Sequence, residues 1–199
     1  MYTLLVATTN PHKVKEIKSL LDIAGLKLLG LSDFDRYPKV IEDGKTFDEN
    51  AVKKAETYFD YFGIPVIADD SGLEVDILKG EPGVYSARYA GEHATDADNN
   101  ALLLKRLRGV PSQKRGAHFV CSVCFADATE RRLFRGVREG RILEHPQGKG
   151  GFGYDPLFFV PALNKTFAQL SESEKNSISH RAMAFAELKK FLQEKHLKG

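Results

Sequence analysis

Short apolar runs alternate with longer stretches of helical spacing along this chain. Thr3-Leu4-Leu5-Val6-Ala7 reads as a first, central strand, and Val14, Ile17, Leu20 and Leu21 continue at helical spacing until Gly25 can stop the helix. Asn10 is a favoured N-cap residue, with Pro11 at the first helical position, where its missing N–H costs nothing. Residues 26–31 form a second apolar run. Thr46-Phe47-Asp48-Glu49 then spells a capping box, which predicts a helix from there to about Gly63. Pro65-Val66-Ile67 reads as a buried strand running into a turn at Ala68-Asp69-Asp70-Ser71-Gly72, and residues 73–77 alternate as a half-exposed strand. A third helix is expected from Asp96 to about Arg108. Residues 117–126 and 132–142 make two strands, paired through the turn Asp127-Ala128-Thr129-Glu130. Near the end, Ser171-Glu172-Ser173-Glu174 is a second capping pattern. A fresh helix capped by Ser179 follows, with Ala184, Phe185, Leu188, Phe191 and Leu192 as its apolar stripe. Strands interleaved with helices predict a mixed α/β fold.

Composition narrows the function. The 199 residues suffice for one large domain, or one with two lobes, and their 42% hydrophobic and 28% charged content is that of a globular protein. A net charge of +2 argues for neither a nucleic-acid nor a membrane partner. No apolar run approaches the ~20 residues of a membrane span, and Met1-Tyr2-Thr3-Leu4 lacks a basic n-region, so the expected location is the cytoplasm. Cys121 and Cys124 are spaced C-x-x-C without a second pair. On a strand, residues three apart face opposite ways, so they are expected to be buried, reduced core thiols.

Several stretches carry chemistry. Thr8-Thr9-Asn10-Pro11-His12-Lys13 puts hydroxyls, free N–H groups and a lysine at the positive end of a helix, which suits a phosphate; it is also simply a good helix start. Two adjacent carboxylates, Asp69 and Asp70, are costly to bury unless a cation or donors meet them, and a strand lets only one face any given cleft. A hard cation such as Mg2+ would offset that charge; an acidic turn capping its own N–H groups is the plainer reading. Glu42 stands in a loop that could lie beside Asp70. Lys53 and Lys54 lie on the following helix, where solvation is the default. Gly148-Lys149-Gly150-Gly151-Phe152-Gly153 matches G-x-G-x-x-G, but no strand leads into it and no helix follows, which opposes a dinucleotide-binding oxidoreductase. Its glycines instead suit a ligand edge around one aromatic and one carboxylate. His180 and Arg181 in a helix's first turn work against the macrodipole, which points to an anionic or acceptor-rich ligand.

Together, Thr8-x-Asn10-x-x-Lys13, Thr46-Phe47-x-Glu49-Asn50-Ala51, Ala68-Asp69-Asp70-Ser71-Gly72-Leu73, Pro82-Gly83-x-Tyr85-Ser86-Ala87-Arg88, Gly150-Gly151-Phe152-Gly153-Tyr154-Asp155-Pro156 and Ser179-His180-Arg181 resemble the inosine triphosphate pyrophosphatase family. These are house-cleaning enzymes acting on noncanonical purine nucleoside triphosphates. The resemblance covers essentially the whole chain. It implies a single catalytic domain over residues 1–199, with an elongated mixed α/β fold, two lobes around a long curved sheet and the active-site cleft between them. It also implies a homodimer, Mg2+ dependence, and hydrolysis of ITP, dITP and XTP to monophosphate and pyrophosphate.

By matching positions, the resemblance implies that Thr8, Thr9, Asn10, Pro11, His12 and Lys13 hold the triphosphate, with Lys54 and Lys175 as further cations. It implies Mg2+ near Glu42 and Asp70, with Asp70 accepting the proton of the attacking water. Ser71 would touch substrate and Phe152 would stack on the base beside Gly153 and Tyr154. Asp155, His180 and Arg181 would line the base pocket, Arg181 reading the 6-keto group. Thr9 stands where the family usually has glycine, which alters the phosphate contacts expected there. A related pyrophosphatase for modified pyrimidine nucleotides would share the lobes but lack Ser179-His180-Arg181, and a non-catalytic nucleotide-binding regulator would not need Asp70.

Overall fold

The computed structural model describes residues 1–197. Its class is the expected mixed α/β. The strands β1 (Tyr2–Val6), β2 (Leu26–Gly30), β3 (Val66–Val75), β4 (Gly116–Ala126), β5 (Arg131–Ile142), β6 (Phe158–Val160) and β7 (Lys165–Thr166) belong to one sheet in the order β2-β1-β3-β4-β5-β6-β7. The helices are α1 (Pro11–Leu20), α2 (Phe47–Phe62), α3 (Asp96–Arg106), α4 (Glu172–Ile178) and α5 (His180–Lys195). By packing, the chain divides into two compact units. Unit 1 comprises Met1–Asp70, Cys121–Gly136 and the chain from Arg181 onward; unit 2 comprises Ser71–Val120 and Val137–His180.

Unit 1 is built on parallel pairing. β1 pairs with β2 from Tyr2↔Leu26 to Val6↔Gly30, and with β3 at Leu5↔Val66 and Val6↔Ile67. Both faces of these strands are covered, and the strand period of two sorts their residues between two cores. Leu4, Val6, Ile67, Cys121, Val123 and Phe125 pack with Ile17 of α1 and with Ala184, Phe185, Leu188, Phe191 and Leu192 of α5. Leu5, Ala7, Val66, Ala68, Cys124 and Ala126 pack with Ala51, Ala55 and Tyr58 of α2. The expected apolar stripe of α5 is therefore its buried face; each fully buried Phe or Leu contributes about 1.5–3 kcal/mol.

Unit 2 has its own core, in which Leu73, Val75, Leu103, Leu107, Phe119, Tyr154, Phe158 and Phe167 take part. Phe119 lies 4.5 Å from Phe158 and 5.6 Å from Phe167 between ring centroids. β6 runs antiparallel to β5 (Ile142↔Phe158) and to β7 (Phe159↔Thr166).

Four expectations need correction. The acidic stretch is no turn: β3 runs unbroken from Val66 to Val75 and absorbs the strand expected at 73–77, because partners described below meet both carboxylates. β1 is interior but not central; β4 holds the middle of the sheet order. The first helix ends at Leu20 rather than near Gly25, which has φ +81° in the turn into β2 and accepts from the Tyr2 amide at 2.8 Å. The third helix stops at Arg106, with Leu107 as its cap.

Cys121 and Cys124 are free thiols, buried in the two different cores of unit 1. Burial pushes both up to about 12, so neither offers thiolate at neutral pH. The folded protein should take up no label from an aromatic disulfide reagent at pH 8, and two equivalents once unfolded in urea. Stoichiometric labelling of the folded protein would contradict this placement.

Candidate active site

The expected site residues fall into two sets, one in each unit. In unit 1 the first set begins where β1 meets α1. Asn10 caps α1 as expected: its side chain accepts from His12 N at 2.9 Å and Lys13 N at 3.3 Å, while its own N–H donates to Thr8 Oγ1 at 3.2 Å. These two helix amides, expected to be free, are thus taken by the cap. Thr9, Pro11 and His12 are exposed around it.

Lys13 is turned inward to Asp69, with Nζ 2.9 Å from Oδ2. Arg181, in the first turn of α5, pairs through Nη1 with Glu16 of α1, and its Nη2 lies 3.7 Å from Asp69 Oδ2. Burial alone would push Asp69 up, but Lys13 and Arg181 hold it well below the usual carboxylate range. Burial likewise opposes the charge on Lys13 and Arg181, and Asp69 raises both above their ordinary values.

Asp70 follows on the opposite side of the strand. Its Oδ2 accepts from Asn50 Nδ2 of α2 at 2.9 Å. Here burial prevails, raising Asp70 above the ordinary value; Lys54, Lys13 and the Asn50 bond pull it down, and the Glu42 charge pushes it up. Lys54 Nζ sits 3.0 Å from Glu42 Oε1 and donates to the Asp69 carbonyl at 2.6 Å. Solvation is thus the wrong default for Lys54, which is only 8% exposed. The reason is position: Phe47, Asn50, Ala51, Lys54, Ala55 and Tyr58 form one buried stripe at helical spacing, and Lys53 lies off it, paired with Asp43. The Glu42 loop is held against α2 by the Gly44 N–H, which donates to Asn50 Oδ1 at 2.8 Å. A Cβ at Gly44 would stand 2.6 Å from that oxygen, so only glycine fits.

The second set lies in unit 2, with the half-buried Ser71 in β3. The glycine-rich stretch forms a loop folded around the Asp155 carboxylate. Asp155 Oδ2 accepts from Phe152 N at 3.0 Å and from Lys175 Nζ at 2.6 Å. Gly151 has φ +72°, and a Cβ there would come within 2.0 Å of that same oxygen. Lys175 Nζ also lies 4.7 Å from the Phe152 ring centroid. Lys175, expected among the phosphate cations, is therefore held by the residues expected at the base. Tyr154 is buried and donates to the Ser86 carbonyl at 2.9 Å, and Gly153 is held by Asp96 and Asn100 of α3. His180 is buried, its ring stacked on Phe119 at 4.7 Å.

Sequence reasoning missed Glu16, Asn50, Asp96 and Asn100 as partners of the expected site residues. Asn50 carried a readable signal, since its spacing from Phe47 and Ala51 places an amide on the apolar stripe. The anionic ligand inferred from Arg181 in a helix's first turn turns out to include the protein's own Glu16 and Asp69. Among the described residues, no group of three or more His, Cys, Asp or Glu side chains is arranged to hold a metal ion.

Replacing Asp69 leaves Lys13 and Arg181 buried without their carboxylate, so Asp69→Asn should lower unfolding stability at pH 7 by about 3–5 kcal/mol. Since Asp69 is held low, its contribution is present above about pH 4 and is lost as pH falls toward its folded value. Asp70, raised in the fold, disfavours its own ionised form, so Asp70→Asn should not lower stability at pH 7. Equal losses in urea unfolding would show that the two carboxylates are not split as described.

The Ham1 family model matches residues 4–191. The chain is 51% identical over 193 residues to the dITP/XTP pyrophosphatase of Geobacter sulfurreducens, covering 96% of this chain and 97% of that protein. It is 50% identical over 186 residues to the dITP/XTP pyrophosphatase of an Exiguobacterium species, covering 93% and 94%. The solved structure of a HAM1 protein from Coxiella burnetii superposes with a TM-score of 0.90 at 39% identity, covering 98% of this chain and 100% of that one. The glycine-rich loop, the paired strand carboxylates and the capped first helix are thus those of a chain that belongs to the Ham1 family.

Proposed function

We propose that this chain is a nucleoside-triphosphate pyrophosphatase acting on noncanonical purine nucleotides, dITP, XTP and ITP, with residues 1–199 working as one catalytic domain. The observation that carries the reading is the split of Asp69 and Asp70. Asp69 is locked into a buried ion network by Lys13 and Arg181, whereas Asp70 faces α2, where Asn50 donates to it and the Lys54–Glu42 pair lies nearby. The 51% identity to a dITP/XTP pyrophosphatase supports the choice of substrate.

In this reading Asp70 takes a proton from the water whose oxygen bonds to the α-phosphorus. The bond from that phosphorus to the bridging oxygen breaks, and its electron pair leaves with pyrophosphate. Charge gathers on phosphate oxygens, so the protein has mainly to position and neutralise. Lys13 and Lys54 supply the positive charge, beside the Thr8–Asn10 turn. Phe152 is the stacking platform for the base, and Asp155, Lys175, Gly153, Tyr154, Ser71 and His180 complete the substrate contacts. Arg181 is only 1% exposed and held by Glu16 and Asp69. It therefore reads a 6-keto oxygen only in exchange for one of those carboxylates.

Glu42 and Asp70 fit a Mg2+ ion. Both offer hard carboxylate oxygens, Glu42 already pushes Asp70 up, and Mg2+ usually takes one or two carboxylates and completes its shell with water and phosphate. When bound there, the ion would neutralise charge on the phosphates. The reading also carries a homodimer in the cytoplasm. No helix among the described residues is long and apolar enough to cross a membrane.

Incubation with dITP, XTP, ITP, ATP and GTP plus Mg2+ should release pyrophosphate rather than orthophosphate, fastest from the 6-keto purines without a 2-amino group. Asp70→Asn should lose about 10²-fold or more in kcat while staying folded. Binding without turnover by the unaltered protein would replace the enzyme reading with that of a nucleotide-binding regulator.

A further inference from the structure

Asp96 and Asn100 stand four residues apart at the start of α3, on one face of the helix. Together they grip both polar groups of the Gly153 backbone. Its N–H donates to Asp96 Oδ2 at 2.6 Å, and its carbonyl accepts from Asn100 Nδ2 at 2.8 Å. Gly153 has φ +60° and lies between Phe152 and Tyr154. A left-handed glycine is a free joint unless something holds it, and a small rotation there swings the aromatic ring next to it.

Two details separate this grip from ordinary helix-end chemistry. The N-terminus of α3 is already closed by a capping box, in which Asp98 N donates to Thr95 Oγ1 at 3.2 Å and Thr95 N donates to Asp98 Oδ2 at 2.9 Å. Asp96 is not needed for that. Asn100 also donates to the Asp96 carbonyl at 2.8 Å, so a flipped amide would set Oδ1 against two carbonyl oxygens. In the orientation held, Oδ1 is buried and accepts no hydrogen bond among the described residues. An unpaired acceptor costs stability.

We propose that Asp96 and Asn100 are positioning residues which bracket Gly153 and so orient the Phe152 ring for a purine base. The inference rests on the reading of Phe152 as the base platform. It adds a base-dependent contribution to affinity from two side chains that need not touch the nucleotide.

The test compares KM and kcat for dITP with the inhibition constant of tripolyphosphate, a triphosphate without a base. Asp96→Ala and Asn100→Ala should each raise KM by about tenfold, leave kcat within about twofold, and leave tripolyphosphate inhibition unchanged. Asp96→Asn keeps an oxygen for the Gly153 N–H and should restore KM. Asp98→Ala opens the capping box and should lower Tm without moving KM. A tripolyphosphate constant that rises in step with KM would overturn the proposal, as would equal effects of Asp96→Ala and Asp98→Ala on KM. Phe152→Ala separates the two levels of the argument. If it leaves KM unchanged, the platform reading fails and this inference with it. If it raises KM and Asp96→Ala still adds its full effect in the double variant, the platform stands and the bracket is overturned. Loss of the Asp96→Ala effect in that background is the expected result.

Discussion

A carboxylate in the interior of a strand buried on both faces must be met by cations, and Asp69 is the point on which unit 1 depends. Its partners come from two helices, Lys13 from α1 and Arg181 from α5, which pack on the same face of the sheet. Removing either would leave charge in a space with little water to solvate it. The network therefore ties α1 and α5 to one strand. Asp70, the next residue, necessarily points the other way, toward α2, where an amide and a lysine meet it. Two identical side chains, adjacent in sequence, are sent to opposite faces by the alternation of the strand, and the different partners on each face give them opposite electrostatics.

Unit 2 repeats the device in miniature. Asp155 is buried in a loop rather than a strand, and its Oδ2 gathers the Phe152 amide and the Lys175 ammonium. Lys175 belongs to α4 and Arg181 to the first turn of α5, where positive charge opposes the helix dipole. For Arg181 the buried Asp69 carboxylate offsets that cost, whereas Lys175 lies in the last turn of α4, where the dipole favours positive charge. An anionic ligand that drew on these cations would have to compete with the carboxylates already in place.

Local signals set out much of this molecule in advance. Asn10 and Pro11 start α1, Thr46 with Glu49 starts α2, Gly63 ends it, and Ser179 separates α4 from α5, because capping depends on residues within one turn of each other. The two cysteines could be placed in different cores, since strand alternation needs no knowledge of what covers each face. The stripe of α2 likewise carried Asn50 and Lys54 in its spacing, although a general expectation about helix lysines obscured it.

What tertiary structure alone decided is which charges meet. Lys13 and Asp69 are far apart in sequence, as are Glu16 and Arg181, and Asp96 and Gly153, and no local preference relates the members of these pairs. Their contacts depend on the order of strands in the sheet and on which face each helix covers. For the same reason β3 could pass straight through two carboxylates where sequence suggested a turn. The cost of burying charge is a property of the surroundings, and here distant segments supply them. The sequence by itself determined where the elements begin, which side chains share a face and which family the motifs resemble. Only the assembled fold determined that Asp69 is held ionised, that Asp70 is raised, and that Lys175 sits with the aromatic ring of the glycine-rich loop.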